Sequence, residues 1–142
     1  MVAIKDNARN RAEPISVFLR ACVVLLALTT AAIHASLGGL LFTFNAVGYA
    51  TLAIAMILPV TGPARWLVRL ALLGFTAATI GGWVLFGARF PLAYIDKSIE
   101  VGLIVFLAIE LWLFDGGPVG VARRARRLVG GIAATVLARG ER

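Results

Sequence analysis

Pro91-Leu-Ala-Tyr-Ile-Asp-Lys-Ser-Ile-Glu-Val-Gly-Leu-Ile-Val-Phe-Leu-Ala-Ile-Glu-Leu-Trp-Leu-Phe114 decides how the chain is read. The stretch is long enough to cross a bilayer, yet it carries Asp96, Lys97, Glu100 and Glu110. At ~100° per residue, Asp96, Glu100 and Glu110 fall within ~80° of one another on a helix. A membrane helix with its carboxylates on one face should turn that face into the protein. This last apolar segment therefore implies partner helices.

Composition agrees. Of 142 residues, 61% are hydrophobic, and the formal charge is +7. The mean hydropathy of +0.93 excludes an ordinary soluble domain. Cys22 is the sole cysteine, so no internal disulfide is available. The opening residues are polar and the first apolar run is long and lacks a cleavage site, so no secretory signal is needed to explain the N-terminus.

Outward from that stretch, residues 1–14 form a polar, mildly basic arm, and Pro14 suits the first turn of a helix. From Ala21 to Ala64 the chain carries no formal charge if His34 is neutral, too long a run for one span. Ser36-Leu-Gly-Gly39 breaks it. The expected spans are 15–37, 40–60, 66–86 and 92–114, each close to the ~20 residues needed for ~30 Å of hydrocarbon. Pro59 and Thr61-Gly-Pro-Ala-Arg65 close the second span. The expected fold is all-α: a four-transmembrane-helix bundle with a C-terminal amphipathic surface helix.

Four spans place both termini and the 60–65 turn on one side. That side collects Lys5, Arg9, Arg11, Arg20, Arg65, Arg69 and the arginines of the tail, leaving only Arg89 and Lys97 opposite. The positive-inside rule then puts both termini in the cytoplasm. Trp66 and Trp112 fall near the inner boundary, and Trp83, Phe90 and Tyr94 near the outer one.

Residues 115–142 read as a basic amphipathic cytoplasmic tail. Val121, Ala125, Leu128, Ile132 and Val136 recur at helical spacing, and Arg123, Arg124, Arg126 and Arg127 crowd the first turns. Arginines so placed suit anionic headgroups at ~1 kcal/mol each. Topology and lipid already account for the charge, so no nucleic acid is expected as a partner. On span three, Gly74, Ala78 and Gly82 form a small-residue stripe, suited to packing within the bundle or against another membrane subunit. Ala46, Ala50 and Ala53 form a weaker one on span two.

Two polar sets remain. Arg20, Arg69 and Glu110 each lie about one turn from the cytoplasmic end of their spans, which suggests an inner ion-pair cluster centred on Glu110. His34, Asn45, Asp96, Lys97 and Glu100 belong to the outer leaflet and form a candidate polar pocket. An imidazole and two carboxylates suit a structural network, a proton or ligand site, or a divalent metal. Ligand spacing is too loose to favour the metal, and Lys97 offers a counter-ion without one. One histidine and two methionines give no second haem ligand at that depth. No catalytic residue, metal ligand set or cofactor is therefore expected.

The runs His34-Ala-Ser-Leu-Gly-Gly-Leu-Leu-Phe-Thr-Phe-Asn-Ala-Val-Gly-Tyr49 and Leu92-Ala-Tyr-Ile-Asp-Lys-Ser-Ile-Glu100 resemble segments of small four-span bacterial membrane proteins of unknown function. The resemblance implies a bacterial inner-membrane location and the four-span count, and it transfers no activity. Two functions are expected from the short loops, the small-residue stripes, the basic tail and the outer polar pocket. The first is a non-catalytic accessory or structural subunit of a larger membrane complex, or a homo-oligomer. The alternative is a small carrier or ligand-binding protein whose outer pocket takes a proton, ion, or quinone-like or lipid molecule.

Overall fold

The computed structural model describes residues 2–59 and 64–140, with side chains described for 13–59, 64–131 and 139. Five helices follow one another: α1 (Val2–Leu37), α2 (Leu40–Ile57), α3 (Arg65–Phe86), α4 (Pro91–Asp115) and α5 (Gly117–Gly140). Among the described residues there is no strand. The protein is all-α.

The connections set the geometry. Between α1 and α2, Gly38 and Gly39 both take positive φ (68° and 85°), backbone that a side chain would strain. Leu58 precedes Pro59, a position disfavoured for helix, and its extended backbone ends α2 at Ile57 rather than at residue 60. The Thr61–Pro63 part of the expected turn lies outside the described residues. At the start of α4, Pro91 occupies a first-turn site where no N–H is needed.

α1 differs from its expected boundary. It runs 36 residues without interruption and holds Pro14 inside it, so the N-terminal arm is helix continuous with span one. A proline there removes one helical hydrogen bond, and the turns on both sides carry on past that loss.

α1 packs on α2 and α4, and α3 packs on α2 and α4, closing a ring of four antiparallel neighbours; α5 folds onto α4. The middle of the ring is apolar, built from Val23, Ala27, Ala53, Met56, Leu72, Leu103 and Leu107. Ala53 is fully buried and Ala50 packs beside it, so the weaker alanine stripe of α2 faces the core. The tightest crossing is at Gly48, where a Cβ would come within 2.5 Å of the Phe75 ring.

The stripe on α3 is placed differently. Gly74, Ala78 and Gly82 are exposed, and a Cβ on either glycine would meet nothing within 4 Å. It takes no part in packing within the bundle.

Exposure is inverted relative to a soluble protein. Ile15, Phe18, Leu25, Leu41, Phe44 and Phe86 face outward, while Asp96, Glu100, Glu110 and Asp115 are buried. Among the described residues, three helical segments are long and apolar enough to cross a membrane: Glu13–Leu37, Leu40–Ile57 and Arg65–Phe86. α4 matches them in length at 25 residues, but five charged side chains interrupt its apolar run. By length and composition, three helices qualify where the sequence suggests four.

Candidate functional site

Antiparallel packing brings the C-terminal ends of α1 and α3 beside the N-terminal ends of α2 and α4. His34, Asp96, Lys97 and Glu100 meet there, all buried. On α4 the i, i+3 and i, i+4 spacing puts its three charges on one inward face.

Lys97 is the hub. Its Nζ donates to Glu100 Oε2 at 2.6 Å and lies 3.1 Å from Asp96 Oδ2. One ammonium thereby serves two carboxylates, and its low exposure removes the solvent that would otherwise weaken both contacts. His34 Nδ1 lies 3.0 Å from the Thr30 carbonyl, so in the neutral ring that nitrogen carries the proton and donates it. The same nitrogen stands 3.7 Å from Asp96 Oδ1, an oxygen with no hydrogen-bond partner among the described residues.

Two hydroxyls not singled out in the sequence extend the network. Tyr49, fully buried on α2, donates to Glu100 Oε1 at 2.9 Å and meets Thr79 Oγ1 at 2.8 Å. Thr79 Oγ1 also lies 2.8 Å from the Thr76 carbonyl. Each hydroxyl has one proton to give. With Glu100 ionised, Tyr49 points its proton at the carboxylate. With Glu100 protonated, the row reverses: Glu100 donates to Tyr49, Tyr49 to Thr79, and Thr79 to the carbonyl. The row has two self-consistent directions and a carboxyl group at its head.

Beside the network lies a cavity of about 430 Å³. Its walls are aromatic, from Phe42, Phe75, Trp83, Phe86 and Phe90, and its polar end is His34, Asn45, Asp96 and Lys97. Asn45 thus joins the site through the cavity, and no hydrogen bond ties it to the charged network. Trp83 is held edge-on against Tyr94 (5.2 Å) and carries the Arg89 guanidinium over its ring at 4.1 Å. Ala78 and Gly82 line the same cavity while exposed at the bundle surface, so the small residues of α3 leave its side opening clear.

A cation has somewhere to bind in principle: donor atoms of His34, Asp96 and Glu100 lie within 4.8 Å of one another. Lys97 already bonds both carboxylates, and His34 Nδ1 is committed to Thr30. The built-in ammonium therefore competes directly with any metal for those oxygens.

The second polar set sits at the opposite end. Arg69 Nε donates to Glu110 Oε2 at 2.5 Å, and its Nη1 donates to Asp115 Oδ2 at 2.8 Å. Asp115 also accepts from Arg124 Nη1 at 2.5 Å, which ties α5 to α4. Arg20 lies within electrostatic reach of Glu110, Arg65 and Arg69, but its buried Nε has no partner among the described residues. Asp115 and Arg124 are the members missed in the sequence, where both read as part of the 115–142 tail. Arg123, Arg126 and Arg127 are exposed on α5, as expected for a basic tail. No known family model, curated protein or solved structure matches the chain.

Proposed function

We propose that the protein is a four-span, inner-membrane binding protein, and that its aromatic cavity holds one small amphiphile. The apolar body of the ligand lies along Phe75, Trp83 and Phe86, and a carbonyl, hydroxyl or similar group meets His34, Asn45 and Lys97. The observation that carries this reading is the junction itself: an apolar-walled cavity opening at the bundle surface and ending on a buried, hydrogen-bonded charge network. Pockets of this kind take ligands that need one oriented polar group and a large apolar contact.

The fourth span is supported by the outward face of α4. Leu92, Ile95, Val101, Val105, Ile109, Trp112 and Leu113 are exposed, and every charged side chain of the helix is buried. A helix that is apolar outside and charged inside suits lipid, where intramembrane charges face the bundle interior and pair. With four spans the basic excess favours cytoplasmic termini. Cysteines placed in Ser36–Gly39 and Gly87–Phe90 should label only from outside; labelling from the cytoplasm would sink the topology.

The ligand is tested by mass spectrometry of a gentle detergent extract. One small apolar molecule should copurify with the wild type and be absent from Ala78→Trp, whose side chain fills the opening. Equal recovery of every small molecule from both proteins would overturn the cavity reading. An accessory-subunit role is the second reading, favoured by the exposed Gly74–Ala78–Gly82 face of α3, and stoichiometric partners in the same extract would support it.

A further inference from the structure

The basic end of the molecule has more cation than its protein groups neutralise. Arg69 and Arg124 take up Glu110 and Asp115, leaving Arg20, Arg65, Arg123, Arg126 and Arg127 without an anionic partner among the described residues. Charge left over this way calls for anions from outside the chain. Two of these guanidiniums carry a further sign of incompleteness, since the Nε atoms of Arg20 and Arg65 are buried and unbonded among the described residues.

The surplus is focused by shape. Where α5 folds back past the start of α3, a groove of about 530 Å³ is lined by Trp66, Arg124, Arg127 and Leu128. A second groove beside it is lined by Phe114, Asp115, Gly116, Gly120 and Arg123, and shares Arg124 and Arg127 with the first. Arg124 spends one N–H on Asp115 and keeps the rest of its fork, while Arg127 spends none on a described residue. Trp66, 7% exposed, gives the groove an apolar floor. Arg126, on the same helix, lines neither groove.

We propose that the groove between the start of α3 and the first turns of α5 binds the phosphate of one anionic phospholipid, held by Arg127 and Arg124 with its glycerol and upper acyl carbons against Trp66 and Leu128. A phosphate matches the guanidinium fork, and a lipid supplies the apolar part that the indole floor requires. The site is discrete, one lipid per chain, in contrast to a tail lying loosely on headgroups. It rests on the membrane reading above.

Purified full-length chain in mild detergent is titrated with phosphatidylglycerol, phosphatidylcholine or inorganic phosphate, and retained adducts are counted by native mass spectrometry. One phosphatidylglycerol per chain should be retained, and phosphatidylcholine should be lost. Arg127→Gln should weaken retention about tenfold, the worth of one charge-assisted hydrogen bond, while Arg126→Gln should stay within about twofold of wild type. Equal weakening by the two substitutions, which remove the same charge from the same helix, would reduce the effect to diffuse attraction and overturn the site. Displacement of the lipid by inorganic phosphate alone would also overturn it in favour of a soluble anion. Neither result touches the membrane reading, which fails only if the chain does not fractionate with membranes.

Discussion

The two ends of the bundle use the same kinds of side chain for opposite purposes. At the Glu110 end, Arg69 engages two carboxylates through separate nitrogens and a second arginine braces one of them. The Arg69–Glu110–Asp115 contacts are buried and join α3 to α4, and Arg124 adds α5. At the Glu100 end, the cation is a lysine, a point charge on a flexible stem, and the remaining partners are hydroxyls and an imidazole. Among the described residues each end leaves one carboxylate oxygen without a hydrogen bond, Glu110 Oε1 and Asp96 Oδ1. Asp96 borders the aromatic cavity. The contrast separates a clamp from a receptor: guanidinium forks fix geometry, whereas ammonium and hydroxyl groups can reorient around a guest.

The largest effect expected from breaking this comparison is at the clamp. Glu110→Ala should cost about 3 kcal/mol, because it leaves the buried Nε of Arg69 unpaired while Asp115 keeps Nη1. Thermal unfolding in detergent should show this loss, and Glu110→Ala behaving like wild type would mean that the pair carries no structural weight.

Glu100→Gln is expected to be milder, about 1–2 kcal/mol: its one carbonyl oxygen can face Lys97, and its NH2 then donates to Tyr49, whose own proton turns to Thr79. Its diagnostic value lies in ligand retention. Binding should fall in Glu100→Gln and in His34→Ala while both proteins stay folded. Retention at wild-type level in both would return the network to a purely structural role.

The smallest effect on stability belongs to Ala78→Leu. An exposed position should shift stability by no more than about 0.5 kcal/mol, yet the added bulk at the cavity opening should reduce ligand capture. A large drop in melting temperature would instead restore Ala78 to a packing interface and sharpen the case for a partner subunit.

Much of this was legible in the sequence because charge within apolar runs is rare and helical spacing assigns it to a face. Asp96, Lys97 and Glu100 on one face of α4 are of that kind, as is the pairing of Arg69 with Glu110. The rest depended on features with weak signals. Tyr49 and Thr79 carry no charge and read as ordinary residues of membrane helices, and only the α2–α3 approach at Gly48 brings them to Glu100. Asp115 reads in the sequence as the first residue of the tail because two glycines and a proline follow it. Only Gly116 separates α4 from α5, and Gly116 and Gly117 both take left-handed backbone (φ 77° and 63°). Gly120 then packs so close that an added Cβ would lie 2.0 Å from the Asp115 carbonyl oxygen, so no other residue type fits there. The α3 stripe left two readings, packing within the bundle or against another subunit, because small residues at four-residue spacing look alike in either case.

The continuity of α1 has a mechanical consequence. At 1.5 Å per residue, 36 residues make a rod of ~54 Å, and Glu13–Leu37 uses only about two-thirds of it. The remaining residues, roughly three turns, continue the same helix past Pro14, unlike a flexible tether, whose end samples a sphere. Whatever meets the far end of α1 is therefore joined to the bundle through helical backbone, and a tilt of span one is passed on to it.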